Sequence, residues 1–296
     1  MSTWQNLINK PGIIIADGAM GTMLQQAGLK PGELPTLWNL EHADRVRAVH
    51  GAYLAAGAQI LLTNTFSGNR FCLAKHGLTA RLAELNIAGA QILRAEIEAQ
   101  KKRGEALVAG DIGPSGELLS PLGKLSFEEA VDGFTEQARA LIKGGADIIW
   151  IETMADLEEV RAAVEGTRKA SADMPIIATL TFDTRGRTMM GVKPETAAAA
   201  LSEWGIAAFG GNCGNGPDEM LAVIEKMHAA APGSILVAKS NAGAPEFVNG
   251  ATVYRAAPGT MAEAALQLRA AGARIIGGCC GTVPAHLAAM ARALKA

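Results

Sequence analysis

The chain has 296 residues, 49% of them hydrophobic and 19% charged, with a formal net charge of −2 at pH 7. Such a balance can bury a large core and excludes a disordered chain. With no long basic run and no stretch of about 18 apolar residues, it also speaks against nucleic-acid binding and against a membrane span.

Met1-Ser2-Thr3-Trp4-Gln5-Asn6 lacks a basic stretch followed by an apolar one, so no secretory leader is expected and a cytoplasmic location follows. Eight short apolar runs come next, each ending in Gly, Asn, Asp, Glu or another polar residue. They are Ile13 to Asp17, Ile60 to Asn64, Leu107 to Asp111, Ile148 to Glu152, Ile176 to Thr181, Ala207 to Asn212, Ile235 to Lys239 and Arg274 to Gly278. Runs of this length, apolar throughout, suit strands buried on both faces of a parallel sheet.

Helical patterns lie between the runs. Val46, Val49, Tyr53 and Leu54 make an apolar stripe closed by Gly57. Phe127, Ala130, Val131, Phe134, Ala138, Leu141 and Ile142 make another, with Gly144-Gly145 as its stop. Ser126 with Glu129, and Asp156 with Glu159, have capping-box spacing. Pro194, Pro217 and Pro284 stand where helices would begin. Strand then helix, eight times, predicts one (β/α)8 TIM barrel domain over residues 1–296. An open doubly wound sheet is the weaker alternative, because Asp17-Gly18-Ala19-Met20-Gly21-Thr22 has the wrong glycine spacing for a dinucleotide turn. The longest irregular stretches, Pro114 to Leu125, Asp183 to Lys193 and Asn241 to Pro258, all follow strands, on the face where such barrels carry their sites.

Three of the four cysteines sit at strand ends: Cys213 after the sixth strand, Cys279 and Cys280 after the eighth. Adjacent residues on a strand point to opposite faces, so Cys279 and Cys280 can share an ion only if the backbone bends. Gly277, Gly278 and Gly281 would permit that bend. Clustered cysteines in a reducing compartment serve metals or catalysis more often than disulfides. Three thiolates leave one position of a tetrahedral zinc site for substrate. Buried small residues, or a vicinal disulfide, would be the plain alternatives. Cys72 lies in a loop after the second strand in a packing context. None of His42, His50, His76, His228 and His286 is at a strand end, and all look like surface residues of helices or loops. A soft, electron-rich site of this kind suits a substrate thiolate that remains nucleophilic, hence sulfur alkylation rather than hydrolysis.

Asp17 and Glu152 end the first and fourth strands and should point into the barrel mouth. Carboxylates there suit a substrate ammonium, and the glycine-rich turn at Gly18 suits its carboxylate; a helix cap or a rim salt bridge is the structural alternative. Asp111 is similarly placed, but Gly113-Pro114 points to a turn role.

These residues together resemble the homocysteine S-methyltransferase family, which includes betaine–homocysteine methyltransferases and the homocysteine-binding module of cobalamin-dependent methionine synthase. The resemblance runs through Asp17-Gly18-Ala19-Met20-Gly21-Thr22, Thr63-Asn64-Thr65-Phe66, Gly110-Asp111-Ile112-Gly113-Pro114 and Trp150-Ile151-Glu152-Thr153. It continues through Gly210-Gly211-Asn212-Cys213-Gly214 and Lys239-Ser240-Asn241-Ala242-Gly243 to Gly277-Gly278-Cys279-Cys280-Gly281-Thr282. It implies a (β/α)8 barrel, zinc on Cys213, Cys279 and Cys280, homocysteine as methyl acceptor, and its ammonium on Asp17 and Glu152. Asn241, beside the cysteines, would fill the open zinc position before homocysteine arrives; a turn-forming Asn is the alternative.

The overall look, including Phe66-Ser67-Gly68-Asn69-Arg70-Phe71, is similar to bacterial proteins described as betaine–homocysteine methyltransferases, so betaine is the expected donor. A quaternary ammonium wants an aromatic cage, and Trp38, Phe66 and Phe71 are the candidates near the mouth. Ser67 departs from the animal enzymes, where a Tyr follows the Phe, and their C-terminal extension is missing. S-methylmethionine or another sulfonium or betaine remains an alternative donor. So does a separate corrinoid protein partner, and a non-enzymatic barrel that binds zinc and homocysteine is a third reading. Monomer and homo-oligomer both stay open.

Overall fold

The structure, a computed structural model, describes residues 3–248 and 251–295. The elements follow one another as α1 (Thr3–Ile8), β1 (Ile14–Ile15), α2 (Met20–Gln26), α3 (Trp38–Glu41), α4 (Ala43–Ala55), β2 (Ile60–Leu62), α5 (Arg70–Ala74) and α6 (Leu82–Ala99). Then come β3 (Leu107–Ile112), α7 (Phe127–Lys143), β4 (Ile148–Met154), α8 (Leu157–Ala170), β5 (Ile176–Leu180), α9 (Pro194–Glu203), β6 (Ala208–Cys213) and α10 (Pro217–Ala230). The chain ends with β7 (Leu236–Ser240), β8 (Glu246–Val248), β9 (Ala251–Val253), α11 (Pro258–Ala270), β10 (Ala273–Gly278) and α12 (Pro284–Lys295).

Eight parallel strands run round in chain order, β1 beside β10, then β7, β6, β5, β4, β3 and β2. The ring closes where Ala16 bridges Ile60, with Asp17 N donating to Ile60 O at 2.9 Å and Gln59 N to Ile15 O at 2.7 Å. This is a (β/α)8 barrel and not an open sheet. Each of the eight apolar runs overlaps one of its strands, with ends that differ by one or two residues, as in β4, which continues past Glu152 to Met154.

Strand alternation divides the core into two. Residues such as Ile60, Leu107, Ile148, Trp150, Val237 and Ile275 point inward and pack on one another. Alternate residues such as Leu61, Val108, Ile149 and Ile276 point outward against the helices. Trp4 and Leu7 of α1 join the inner cluster, so this short helix caps the N-terminal end of the barrel. Each such side chain is worth about 1.5–3 kcal/mol when fully buried.

Helix termini follow local chemistry. Ser126 and Glu129 form the expected capping box on α7, and Gly145, at φ 101°, turns the chain away after it. Asp156 does cap α8, through the Glu158 N–H, but the second half of that box is absent. Glu159 instead reaches Ser115, whose N–H and Oγ lie 2.8 and 2.6 Å from its Oε1. Cys72 lies in α5, not in a loop, because Asn69 Oδ1 accepts its N–H at 2.9 Å and starts the helix there. The histidines are not all at the surface. His50 is wholly buried in α4, and His286 is buried with Nε2 2.9 Å from Ala256 O. The irregular stretch after β7 contains the β8–β9 hairpin, which carries no apolar run to announce it. Among the described residues no helix is long and apolar enough to cross a membrane.

Candidate functional site

The inner layer ends at Ala109, Trp150 and Val237, and two residues further on the inward positions become Asp111, Glu152 and Lys239. Above them a cavity of about 290 Å³ opens at the C-terminal ends of the strands. Its walls include Asp17, Gly18, Phe66, Ser67, Asp111, Glu152, Lys239, Cys213, Cys279 and Cys280. Apolar packing thus gives way within one strand repeat to charge and sulfur.

The three cysteines come together. Their Sγ atoms all lie within 4.8 Å of one another, and Cys213 Sγ is 2.8 Å from Cys279 Sγ. All are free thiols, so the vicinal disulfide does not form. Two backbone devices achieve this. Cys213 takes φ 60° and Gly214 φ 74°, which turns the end of β6 inward. Cys279 N still donates to Ser240 O of β7 at 2.8 Å, and the chain bends just after Cys280, at Gly281 with φ 78°. Gly277 and Gly278 have a different role from the bend expected of them. Added Cβ atoms there would meet Asp17 O at 2.7 Å and Thr282 Oγ1 at 2.4 Å, so they permit close approach.

Asn212 ties the sulfur side of the cavity to the acid side. Its Oδ1 accepts Thr153 N at 2.9 Å, and its Nδ2 donates to Thr153 Oγ1 at 2.7 Å. The same Nδ2 lies 3.6 Å from Cys213 Sγ and 3.8 Å from Cys279 Sγ. Thr153 follows Glu152 and has φ 62°, a costly conformation for a β-branched residue unless its surroundings hold it. Tyr254, after the hairpin, hydrogen-bonds Cys280 and covers Gly281. Hydrogen bonds from Cys213, Cys279 and Tyr254 lower the pKa of the Cys280 thiol below the ordinary cysteine value.

The donor set fits a thiophilic ion. Zinc bonds to sulfur at about 2.3 Å, and a tetrahedron on that radius spaces its ligands about 3.8 Å apart. The three Sγ atoms, all within 4.8 Å of one another, are close enough to converge on one such ion, and no fourth His, Cys, Asp or Glu joins them among the described residues. Asn241 directly follows β7 nearby, with Nδ2 donating to Gly214 O at 2.6 Å and Oδ1 buried without a partner.

On the acid side, Lys239 Nζ lies 2.8 Å from Asp17 Oδ1 and 5.1 Å over the Trp150 ring. Burial would lower its pKa, but the Asp17 and Glu152 carboxylates hold it above the ordinary lysine value. Burial pushes the Glu152 carboxyl up to about 8.

Of the three aromatic candidates only Phe66 reaches the cavity. Trp38 is 4% exposed, stacked edge-on against His42 with Arg45 5.2 Å over its ring, so it belongs to the packing of α3 on α4. Phe71 packs on Phe134. Gly18 lines the cavity, and a Cβ there would strike Tyr53 and Thr282, both at 2.8 Å. Sequence reasoning missed Lys239, Asn212 and Tyr254, and it assigned Asp111 to a turn. Counting two residues past the last inward apolar side chain would have found Lys239 and Asp111. Asn212 and Tyr254 gave no such signal.

Fold and site together define a (β/α)8 barrel with a three-cysteine candidate metal centre in its mouth. The chain belongs to the homocysteine S-methyltransferase family, which it matches over residues 14–294. It is 33% identical to the methionine synthase of Mycobacterium tuberculosis, over 95% of this chain, and spans 24% of that relative's length. Among solved structures it is similar to the homocysteine methyltransferase MmuM from Escherichia coli. The oxidized form gives a TM-score of 0.83 at 26% identity, covering 99% of each chain. The metallated form gives 0.82 at 27% identity, covering 98% of this chain and 99% of that one.

Proposed function

We propose that this protein is a zinc-dependent enzyme that transfers a methyl group to the sulfur of L-homocysteine, giving methionine, with betaine as donor. The observation that carries this reading is one cavity lined both by three cysteine sulfurs and by carboxylates, of which Asp111 Oδ1 and Glu152 Oε2 are buried without a hydrogen-bond partner. Such a pair of walls suits a molecule with a thiol at one end and an ammonium at the other.

Cys213, Cys279 and Cys280 would hold zinc, with Asn241 Oδ1 as the side-chain oxygen at hand for the open position before substrate arrives. Bound there, the ion would lower the pKa of the homocysteine thiol so that its sulfur stays anionic and nucleophilic at neutral pH. The thiol proton leaves to solvent. The acidic floor holds the substrate ammonium, and the turn at Gly18 faces its carboxylate. The sulfur then attacks the donor methyl carbon in line. An S–C bond forms, the C–N bond breaks, and its electron pair stays with nitrogen, giving dimethylglycine from betaine. The residues supply proximity and orientation. Phe66 is the aromatic wall for the donor cation. Because Trp38 and Phe71 stay outside the cavity, the cage for a trimethylammonium group is open on two sides. That favours, as second reading, a sulfonium donor such as S-methylmethionine.

The test is methionine formation by zinc-loaded protein with betaine, S-methylmethionine or a methyl-corrinoid protein. Turnover with betaine is expected, lost on stripping zinc and in Cys280→Ala, and restored to the wild type by zinc. Full transfer by metal-free protein would overturn the zinc mechanism. Turnover with the sulfonium alone would overturn the donor.

A further inference from the structure

The three cysteine sulfurs do not face the cavity bare. Asn212 is fully buried near the end of β6, beside Cys213. Its amide has one possible orientation. The Thr153 N–H can only donate, so Oδ1 is the atom 2.9 Å from it and the NH2 group is turned the other way. One hydrogen of that group goes to Thr153 Oγ1 at 2.7 Å. The second is left for sulfur, with Cys213 Sγ at 3.6 Å and Cys279 Sγ at 3.8 Å. The clamp on Thr153 falls where the register of β4 on β5 shifts, between Ile151 and Met154.

Cys280 has a cover of its own. Tyr254 hydrogen-bonds its sulfur and lies on Gly281, where an added Cβ would be 2.3 Å from Tyr254 Cβ. The segment that carries Tyr254 is fastened on both sides. Ala256 N donates to Ala242 O at 2.9 Å, and Ala256 O lies 2.9 Å from His286 Nε2. Each protein sulfur in the cavity thus has a side-chain donor from outside the cysteine cluster.

A thiolate that accepts a hydrogen bond is a weaker nucleophile, because the donor stabilises the lone pair that would attack. Three protein thiolates beside a substrate thiolate would compete with it for the methyl group. A methylated cysteine is a neutral thioether and a poor ligand, so each misdirected transfer would disable the centre. We propose that Asn212 and Tyr254 mask the protein's own sulfurs, Asn212 over Cys213 and Cys279 and Tyr254 over Cys280, so that the methyl goes to the substrate sulfur. This assignment rests on the three cysteines holding zinc and on homocysteine bringing the further sulfur. Asn212 and Tyr254 are then positioning residues that set which sulfur reacts.

The test exposes zinc-loaded protein, without homocysteine, to iodomethane, a methyl electrophile that needs no donor subsite. A cysteine S–C bond forms, the C–I bond breaks and iodide leaves. Peptide mass spectrometry locates the methyl groups, with Cys72, outside the cavity, as internal reference. Asn212→Ala is expected to speed methylation of Cys213 and Cys279 about tenfold and to leave Cys280 unchanged. Tyr254→Phe should speed Cys280 alone by about the same factor, the worth of one hydrogen bond to a charged group. A site merely loosened would speed all three sulfurs together in either variant. That pattern, or unchanged rates in variants that hold zinc, would overturn the masking. Should Asn212→Ala fail to fold or to hold zinc, Tyr254→Phe, which removes a single oxygen, carries the test at Cys280. Wild-type protein that took up no zinc would refute the metal reading, and the assignment with it.

Discussion

His50 stands fully buried in α4 with neither ring nitrogen hydrogen-bonded. Burial lowers its pKa from 6.5 to about 4, with Glu96 opposing. Between those values the unfolded chain binds a proton that the folded chain refuses, so stability falls as pH drops from about 6.5 to about 4. The full shift corresponds to about 3 kcal/mol. Urea unfolding at pH 7.5 and pH 5 should show about 2 kcal/mol of this loss in the wild type and a smaller one in His50→Leu. Equal losses in both proteins would mean that His50 is not the group responsible. At the same scale, Asp17, Glu152 and the three cysteines were legible as residues at strand ends. Their partners were not. Lys239 reads as the last residue of an apolar run, and only knowing which face of β7 turns inward sets it against Asp17.

The strands set what the site can tolerate. At Gly210 in β6 an added Cβ would lie 1.8 Å from Val237 O of β7. Backbone cannot yield as a flexible side chain would, so β6 and β7 would have to part, and the end of β6 would move with Cys213. Gly210→Ala should cost more than about 3 kcal/mol. In α11, Gly259 has nothing within 4 Å of such a Cβ, and Gly259→Ala should be neutral or stabilising by up to about 1 kcal/mol. Denaturation curves for the two variants check the contrast; similar stabilities would contradict it. Strands were easy to read because burial on both faces leaves unbroken apolar runs. The β8–β9 hairpin was not, since Glu246 and Phe247 are exposed and carry no periodic signal. Trp38 misled for the opposite reason: an aromatic near a loop looks available, but α3 folds it against α4.

Across the whole molecule, the barrel brings together residues far apart in sequence. Cys213 and Cys279 are separated by 66 positions, and Asp17 and Lys239 by 222, yet all four line one cavity. Barrel closure, through the Ala16–Ile60 bridge, is what sets Asp17 beside the strand ends from the other half of the chain. The eightfold strand and helix alternation made this architecture legible, and the glycine-flanked cysteines pointed to the metal centre. The balance of charge on the floor emerged only with the ring closed. The central claim is that three cysteines hold zinc with one position open to the substrate sulfur. X-ray absorption at the zinc edge tests it most directly, by counting sulfur neighbours before and after L-homocysteine is added. The expected counts are three and then four, with the extra sulfur absent when homoserine replaces homocysteine. A sulfur count that does not rise on adding homocysteine would contradict the account.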